Sequence, residues 1–469
     1  MKLFQLVLLL SATASLWAQS SDRGQRIVFP PVVDAVPKLV ASPDSAFAPL
    51  QPPSPPITTT PPTGAPLTTP VITTEQPPSD NAAPAPTATT PPFRSGDLWD
   101  RIRNGFAMPD LQTDLVTNRE QWYATRPDYI ARMTERSSRY LYHVVEELEA
   151  RKMPTELALL PFIESAFNPQ AVSTAKAAGM WQFIPSTGRD YALRQNTFRD
   201  DRRDVQASTR AALDYLQKLY AMFNDWHLAL AAYNWGEGSV ARAIARNQRL
   251  GLPTGYLDLK MPNETQYYVP KLQAVKNIVA NPVQFNTELP VIENHPYFQS
   301  VSITRDIDVA LAAKLADVSL LDFKALNPSL SKPVILAAGT PKVLLPWKNA
   351  EGFEGKIENY AGQLASWTAW VVPKTLRPSE AAKRVGISER LLREINNIQA
   401  KAGSIKIGST LLVPRSIHKT EDVTAHVADH GQLTLTQPPK PKARAKAKRA
   451  GKKVAIRKAT PKKPMQKRN

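Results

Sequence analysis

One acidic residue in an apolar stretch is the first candidate for chemistry. Glu164 lies in the run of residues 157–165, and a helix there would place it on a face with three apolar residues, Leu157, Leu160 and Pro161. Desolvation on such a face raises the pKa of a carboxyl group and keeps it protonated near neutral pH. A general acid needs that state. Taken alone, a Glu at the edge of an apolar stripe is more often structural.

The second motif, residues 178–185, joins a glycine to Met180, Trp181, Gln182 and Phe183. Glycine permits close backbone approach, aromatic faces suit sugar rings, and an amide side chain supplies hydrogen-bond donors and an acceptor. A sugar-binding turn and an aromatic core turn fit this motif equally well.

Two tyrosine-bearing motifs follow. Residues 231–240 carry Tyr233 and Asn234 at a helix end, followed by two glycines separated by one residue. The lack of a preceding strand and of a further glycine pattern argues against a phosphate-binding loop. We therefore predict a sugar-lining turn with a Tyr hydroxyl near Glu164. Residues 264–270 begin a helix that bears Tyr267 and Tyr268, for which packing is the structural alternative.

The order of the four motifs is more specific than any one of them. Glu-Ser, Gly-Met-Trp-Gln-Phe, Ala-Tyr-Asn-x-Gly-x-Gly-x-Val and Glu-Thr-x-x-Tyr-Val follow one another in the chain. This set resembles the soluble-lytic-transglycosylase family of lysozyme-like enzymes, and with the modules described below the resemblance covers roughly residues 97–415. It implies a mainly helical lysozyme-like domain that cleaves peptidoglycan glycan strands.

A one-acid mechanism suits the sequence. Most glycosidases use two carboxylates, but no acid occurs between Ser165 and Arg189, and the acids of residues 190–204 lie in a charged stretch that we expect to be exposed. The resemblance implies that Glu164 protonates the oxygen between N-acetylmuramic acid and N-acetylglucosamine. As a carboxylate, Glu164 then takes the proton of the C6 hydroxyl, which closes a 1,6-anhydro ring.

The resemblance also implies roles for substrate-binding residues. Ser165 would position the glycan or hydrogen-bond Glu164, and Met180 and Gln182 would line the cleft. Tyr233 and Tyr268 would orient the acetamido group or Glu164, with Asn234 supporting the turn. Glu264 matches a family acid that shapes the cleft, and we do not expect it to transfer a proton.

No cofactor and no metal are expected. The absence of cysteine excludes disulfides, thiolate zinc sites and a Cys nucleophile. His426 and His430 have helical ligand spacing, but a solvated pair in a polar tail is the better interpretation.

Two functions compete with a lytic transglycosylase. A muramidase-type hydrolase on the same fold would use water in place of the C6 hydroxyl. A non-catalytic cell-wall-binding protein would use only its binding modules, and the Glu-Ser pair argues against it. Nucleic-acid binding through the basic tail conflicts with export.

The elements that must position these residues form a mainly α catalytic domain over residues 94–290. Helical periodicity over residues 129–151 produces one apolar stripe, formed by Tyr140, Leu141, Val144, Val145 and Leu148. Helices then recur to about Ile278, separated by Gly, Pro and Asn.

An internal repeat of βααβ type follows, in residues 297–347 and 366–416. The predicted helices are residues 309–315 and 379–385, and the second helix of each unit ends at Asn327 or Asn396. The units resemble LysM peptidoglycan-binding modules, the first being more degenerate. The second departs from LysM sequences at residues 373–376, Pro-Lys-Thr-Leu, where Gly-Asp-Thr-Leu is usual.

The two ends of the chain have biased compositions. Residues 1–18 read as a signal peptide, with an uncleaved anchor as the alternative, and residues 19–93 as a Pro/Thr/Ala-rich disordered spacer. Residues 417–469 form a basic disordered tail that holds 14 Lys and Arg after residue 439, so the remaining chain accounts for only about +4 of the net charge of +18. We expect a periplasmic or otherwise extracytoplasmic protein without a lipid anchor. The tail either contacts anionic envelope surfaces or only improves solubility.

Overall fold

The computed structural model describes residues 96–416 and 421–437. The predicted signal peptide, the spacer and the basic part of the tail lie outside these residues. Among the described helices, none is both long and apolar enough to cross a membrane.

The first part of the described chain is a helical domain. Its α-helices are α1 Leu98–Asn104, α2 Asp114–Ala124, α3 Pro127–Ser137, α4 Leu141–Ala150, α5 Leu160–Ser165, α6 Pro185–Asp190, α7 Val205–Phe223, α8 Trp226–Trp235, α9 Glu237–Arg249, α10 Asn263–Gln266 and α11 Tyr268–Ala280. Three short 3₁₀ helices lie at Thr155–Leu159, Tyr256–Asp258 and Pro282–Phe285. The predicted mainly α domain is confirmed.

Helix starts in this domain follow from side-chain capping. Asp97, Asp204 and Asp225 each accept a hydrogen bond from a backbone N–H in the first turn of α1, α7 and α8. Asn224 ends α7 in the left-handed conformation, at φ 49°. The central helix α11 contacts both α5 and α8, and the three helices share one apolar core.

The stripe predicted over residues 129–151 is buried and lies on α4 and its N-cap Tyr140, but the helical stretch itself is divided into two helices. α3 ends at Ser137 and α4 begins at Leu141. The hydroxyls of Ser137 and Ser138 bond the carbonyls of Thr134 and Glu135, which competes with continuation of the helix. The break lets the Tyr140 hydroxyl donate to the carbonyl of Ala325, 2.9 Å away.

The first module contains the predicted βααβ unit and additional elements. Its elements are β1 Phe298–Ser302, β2 Ile307–Asp308, α12 Val309–Leu315, α13 Leu320–Leu326, β3 Val334–Ile335, β4 Lys342–Pro346, α14 Trp347–Ala350 and α15 Phe353–Glu358. β1 pairs antiparallel with β4, and β2 pairs antiparallel with β3. The short β2–β3 pair and the last two helices were not predicted.

The second module is the simpler of the two. β5 Trp367–Val371 pairs antiparallel with β6 Thr410–Pro414, and α16 Pro378–Arg384 and α17 Glu389–Ile395 lie between them in the chain. Its small core includes Val372, Leu392 and Leu411. The predicted pair of small α+β modules after the helical domain is confirmed.

An asparagine closes each module in the same way. Asn327 donates to the carbonyl of Leu344 and accepts from its N–H, both at 2.8 Å. Asn396 makes the same two bonds to Leu412, at 2.9 and 2.7 Å. The equivalence of the two repeats therefore extends to individual atoms.

Asp200, Asp201 and Asp204 differ from the expectation of an exposed acidic stretch, whereas Asp190 is exposed as expected. Asp201 is 4% exposed and pairs with Arg199 at 2.6 Å, while Asp200 pairs with Arg202 at 2.7 Å. The stretch is covered because it contacts the modules: Asp200 N–H donates to Ser329 O, and Ser331 N–H donates to Phe198 O. Ion pairing and docking, rather than solvent, satisfy these charges.

Residues 421–437, assigned by the sequence to the disordered tail, form structure. They contain α18, Ala425–His430, and a segment at 432–436 that runs beside the second module. Thr434 O accepts from Lys406 N–H at 2.9 Å, and Thr436 N–H donates to Ser404 O at 2.8 Å. The composition of this segment does not predict the docking, because its polar residues contact the module through backbone hydrogen bonds, which do not depend on side-chain type.

Candidate active site

Glu164 occupies the last turn of α5. Pro161 lies in the first turn, where its missing N–H costs no helical hydrogen bond. Ala166, at φ 51°, ends the helix. The helix is shorter than the predicted face requires, because Leu157 belongs to the preceding 3₁₀ helix. Leu160 and Pro161 are buried, while Glu164 is only partly exposed.

The Tyr268 hydroxyl donates a hydrogen bond to Oε1 of Glu164. Burial raises the pKa of Glu164 to about 7, although the bond from Tyr268 opposes that rise. Burial and the Glu164 charge raise the pKa of Tyr268 well above its usual value, so the phenol keeps its proton. Among described residues no group donates to Oε2. This second carboxyl oxygen is therefore available for another hydrogen bond.

Two further charges act on Glu164. Lys271 lowers the pKa of Glu164, and Glu264 raises it. Burial lowers the pKa of Lys271 itself, which lies one turn after Tyr268 on α11. Lys271 was not predicted, and its position three residues after Tyr268 on a helix was the available signal.

Ser165 bonds the backbone rather than Glu164. Its hydroxyl donates to the carbonyl of Met180 at 3.0 Å and accepts from Asn168 N–H at 3.2 Å. The Met180 side chain is 0% exposed and lies in the core. Ser165 thus ties the end of α5 to the second motif through the Met180 backbone.

The second motif is a turn held by its own residues. Gln182 lies at φ 50° and donates from Nε2 to Gly179 O at 2.7 Å. Gly179 lies at φ 84°, where a Cβ atom would come within 2.0 Å of Arg202 O. Trp181 is fully buried and donates to Thr209 Oγ1 at 3.0 Å, so its ring is a core element.

Tyr233 joins the second and third motifs. Its hydroxyl donates to Trp181 O at 2.9 Å and is not hydrogen-bonded to Glu164. Burial raises the pKa of Tyr233 well above its usual value, and the charge of Glu164 adds to this effect. Tyr233 and Tyr268 therefore both lie close enough to sense Glu164, but only Tyr268 bonds it.

A row of aromatic rings extends from Tyr233. The ring centroids of Tyr233 and Tyr215 are 5.5 Å apart, and those of Tyr215 and Tyr191 are 5.2 Å apart. Tyr215 donates to Glu237 at 2.7 Å, and Lys218 pairs with the same carboxylate. This row was missed because its members come from α7 and the end of α6, outside the four motifs.

Asn234 links the third motif to the fourth. Its Oδ1 accepts from Thr265 Oγ1 at 2.8 Å, which ties α8 to α10. The next helix, α11, starts at Tyr268. Through this contact the third motif helps to place the tyrosine that bonds Glu164.

No metal centre is evident in residues 96–416 and 421–437, where no group of three or more His, Asp or Glu is arranged to hold an ion. His426 and His430 stack with ring centroids 4.9 Å apart, and His430 Nδ1 lies 3.2 Å from the carbonyl oxygen of His426.

Comparison with protein families separates the chain into the same parts. Residues 144–252 match the transglycosylase SLT domain. Residues 297–360 match the LysM-like domain of lytic transglycosylase MltD, and residues 382–414 match the LysM domain.

Curated relatives agree with these matches. The chain is 35% identical over 357 residues to membrane-bound lytic murein transglycosylase D of Escherichia coli (strain K12), which covers 72% of this chain and 78% of that protein. It is 28% identical over 189 residues to membrane-bound lytic murein transglycosylase C of Glaesserella parasuis serovar 5, which covers 34% of this chain and 52% of that protein.

The family resemblance in the sequence is confirmed by these findings. The chain spans most of the relative from Escherichia coli, and its helical domain and both modules match the corresponding family models. It belongs to the membrane-bound lytic murein transglycosylase D family.

Proposed function

We propose that the protein is a peptidoglycan lytic transglycosylase that acts in cell-wall remodelling. It cleaves the β-1,4 bond between N-acetylmuramic acid and N-acetylglucosamine and leaves 1,6-anhydro-N-acetylmuramic acid ends. The observation that carries this proposal is the Glu164 carboxyl, which has a pKa of about 7 and one oxygen bonded by Tyr268.

In the first step Glu164 acts as the general acid. With Oε1 bonded by Tyr268, Oε2 carries the proton and gives it to the glycosidic oxygen as the C1–O bond breaks. The leaving sugar departs with a free 4-hydroxyl. The substrate's 2-acetamido group stabilises the positive charge at C1.

In the second step Glu164 acts as the general base. Its carboxylate takes the proton of the C6 hydroxyl, whose oxygen bonds C1 and closes the anhydro ring. The ring closure is intramolecular, so holding the C6 hydroxyl near C1 gives a large entropic advantage. The Tyr268 bond stabilises the carboxylate between the two steps.

The surrounding residues hold these groups in place. Ser165 fixes the end of α5 against the Met180 backbone, Asn234 fixes α10, and Tyr233 holds the Trp181 carbonyl. Gln182 lines the cleft with its partly exposed amide. Met180 acts through its backbone, since its side chain is buried.

Peptidoglycan is the partner that both parts of the chain fit. The LysM modules hold glycan strands, and the helical domain cleaves them. Residues 1–18 act as a signal peptide that exports the protein, so it works outside the cytoplasm. The basic tail contacts anionic envelope surfaces electrostatically.

The chemistry of the products tests this function. Purified sacculi digested with the protein should release muropeptides with anhydro ends, detected by mass spectrometry as a loss of one water relative to reducing ends. Reducing ends would instead show a muramidase on the same fold.

A Glu164→Gln variant separates catalysis from binding. It should digest sacculi at least about 1,000-fold more slowly while still binding them. Digestion at the unmutated rate would support a cell-wall-binding protein without this active site. The Glu264→Gln variant is the matched control and should retain activity within about tenfold.

A further inference from the structure

The loop between α9 and α10 exposes apolar side chains away from the catalytic groups. Leu250 is 60% exposed, Leu252 51% and Leu257 52%. Three leucines within eight residues are unusual at a surface where isolated apolar side chains are the norm. Two other apolar side chains of the same loop, Tyr256 and Leu259, are buried, so the loop has distinct buried and exposed sides.

Buried polar contacts hold this loop in one shape. Asn247, at the end of α9, donates from Nδ2 to Pro253 O at 2.8 Å and to Asp258 O at 2.9 Å. Leu252 N–H donates to Asn247 O at 3.0 Å. Gly251, at φ 67°, provides the left-handed turn between Leu250 and Leu252. The leucines are therefore presented outward by an anchored loop.

Positive charge surrounds the leucines. Arg242, Arg246 and Arg249 share one face of α9 at a spacing of four and three residues, and all three are exposed. Lys260 is exposed at the other end of the loop. Within the described part of the chain, no carboxylate forms an ion pair with these four cations.

The acidic side chain within the loop is already engaged. Asp258 is the one acid between Arg246 and Lys260, and its Oδ2 accepts a hydrogen bond from Gly255 N–H at 3.1 Å. It serves the loop's own turn. The surface thus combines three leucines with four cations whose charge is largely unopposed.

We propose that this surface, the leucine loop, docks the enzyme on an anionic lipid bilayer. Leucines enter the boundary between head groups and acyl chains, while arginines at their border attract anionic head groups. Sugar rings would instead be met by exposed aromatic faces, and the aromatic side chain of this loop, Tyr256, is buried. The loop would hold the catalytic domain at the membrane-facing side of the wall.

This inference goes beyond the proposed function and does not require Glu164. The leucine loop is tied to the catalytic region by Tyr256, whose hydroxyl donates to the Thr265 carbonyl and accepts from Val269 N–H at 3.3 Å, and Tyr256 is not one of the exposed leucines. Substitution of the exposed leucines should therefore leave the digestion of purified sacculi unchanged.

Direct insertion can be read from a tryptophan placed in the loop. The full chain carrying Leu252→Trp is mixed with phosphatidylglycerol–phosphatidylethanolamine vesicles containing brominated acyl chains, which quench only immersed indoles. The matched control is Val283→Trp, at a site that is 86% exposed but lies outside the loop. We expect quenching beyond that of the unmutated protein for Leu252→Trp and none for Val283→Trp.

Vesicle flotation at 0.5 M salt measures how much the apolar side chains contribute to membrane binding, because salt at this concentration screens the charges of the basic tail. The triple variant Leu250→Ser, Leu252→Ser, Leu257→Ser should bind about tenfold more weakly, and Val283→Ser should bind as the unmutated protein does. Equal quenching at both tryptophan positions, or unchanged flotation of the triple variant, overturns the proposal. A loss of binding to sacculi rather than to vesicles would make the loop a glycan surface and also overturns it.

Discussion

The hydroxyl of Tyr268 donates to Oε1 of Glu164, although 104 positions separate the two residues in the chain. The contact brings the first and fourth motifs together across the domain. Burial raises the pKa of the carboxyl, and the phenol limits that rise by stabilising the ionised form. The balance leaves Glu164 able to give and to take a proton near neutral pH.

Removal of this hydroxyl should slow the reaction. In Tyr268→Phe the carboxylate loses a donor, so we expect kcat to fall about 10- to 100-fold. The pKa of Glu164 should rise further, because the bond that lowers it is gone. The control is Tyr267→Phe, whose ring lies under Arg119 at 4.7 Å. Equal rates for the two variants in a sacculus-digestion assay would contradict a catalytic role for Tyr268.

The pH dependence of the reaction should follow the protonation of Glu164. Its pKa is raised to about 7, so the acid form that starts catalysis is lost as pH rises through that value. We therefore expect kcat/KM on soluble glycan fragments to decline above about pH 7. In Tyr268→Phe the same decline should move to higher pH. A decline centred near pH 4.5 would show that Glu164 is not desolvated.

The same carboxyl should destabilise the fold at alkaline pH. Below the unfolded pKa of about 4.5 both states hold the proton, and between there and about 7 only the unfolded state releases it. Stability is thus lost as pH rises through this window. Glu164→Gln removes the loss, so its gain over the unmutated protein should reach on the order of 1–3 kcal/mol at pH 8 and vanish at pH 4. Thermal unfolding at the two pH values measures it, and a gain independent of pH would contradict this account.

Gly179 should tolerate no side chain. A Cβ atom there would lie 2.0 Å from Arg202 O, and the residue is at φ 84°. We expect Gly179→Ala to cost more than about 3 kcal/mol of unfolding free energy. At Gly236, φ 89° and ψ 137°, nothing lies within 4 Å of the added carbon, so Gly236→Ala should cost only the backbone strain, about 1–3 kcal/mol. Urea unfolding compares the two, and similar costs would mean that the contact with Arg202 relaxes easily.

The segment at residues 432–436 should stabilise the second module. It gives backbone bonds to Ser404, Lys406 and Thr410, and Leu433 and Leu435 pack against the module's core. A chain ending at residue 416 should therefore lose on the order of 2–4 kcal/mol relative to one ending at residue 437. Both chains lack the basic tail, which makes them a matched pair. Hydrogen exchange of the β6 amides reports the difference, and equal protection would exclude a stabilising role.

Local patterns in the sequence predict the modules well. The helix expected at residues 309–315 is α12, Val309–Leu315, and the helices expected to end at Asn327 and Asn396 do so. These features follow from short-range periodicity and capping, which a sequence displays directly. The extra β2–β3 pair joins residues almost thirty positions apart and left no such local signal.

The active site was less accessible to sequence reasoning. The motifs identify Glu164 and Tyr268, but side-chain direction depends on packing between distant elements. Tyr233 thus bonds Trp181, although it was expected to orient the acetamido group or Glu164. Met180 turns into the core, although it was expected to line the cleft. Charge composition misled in the same way at Asp201, which is buried because Arg199 pairs with it.

The asparagine that closes each module has a consequence for the exposed edge of its sheet. Each principal sheet of a module has only two strands, so backbone groups on the outer side of its closing strand could pair with a further strand, and in β6 Gln432 already bonds the Thr410 N–H there. Asn327 and Asn396 occupy the N–H and the carbonyl of one residue on that side, as a third strand would. One amide side chain in each module thereby reduces the part of the strand edge at which a foreign strand could pair.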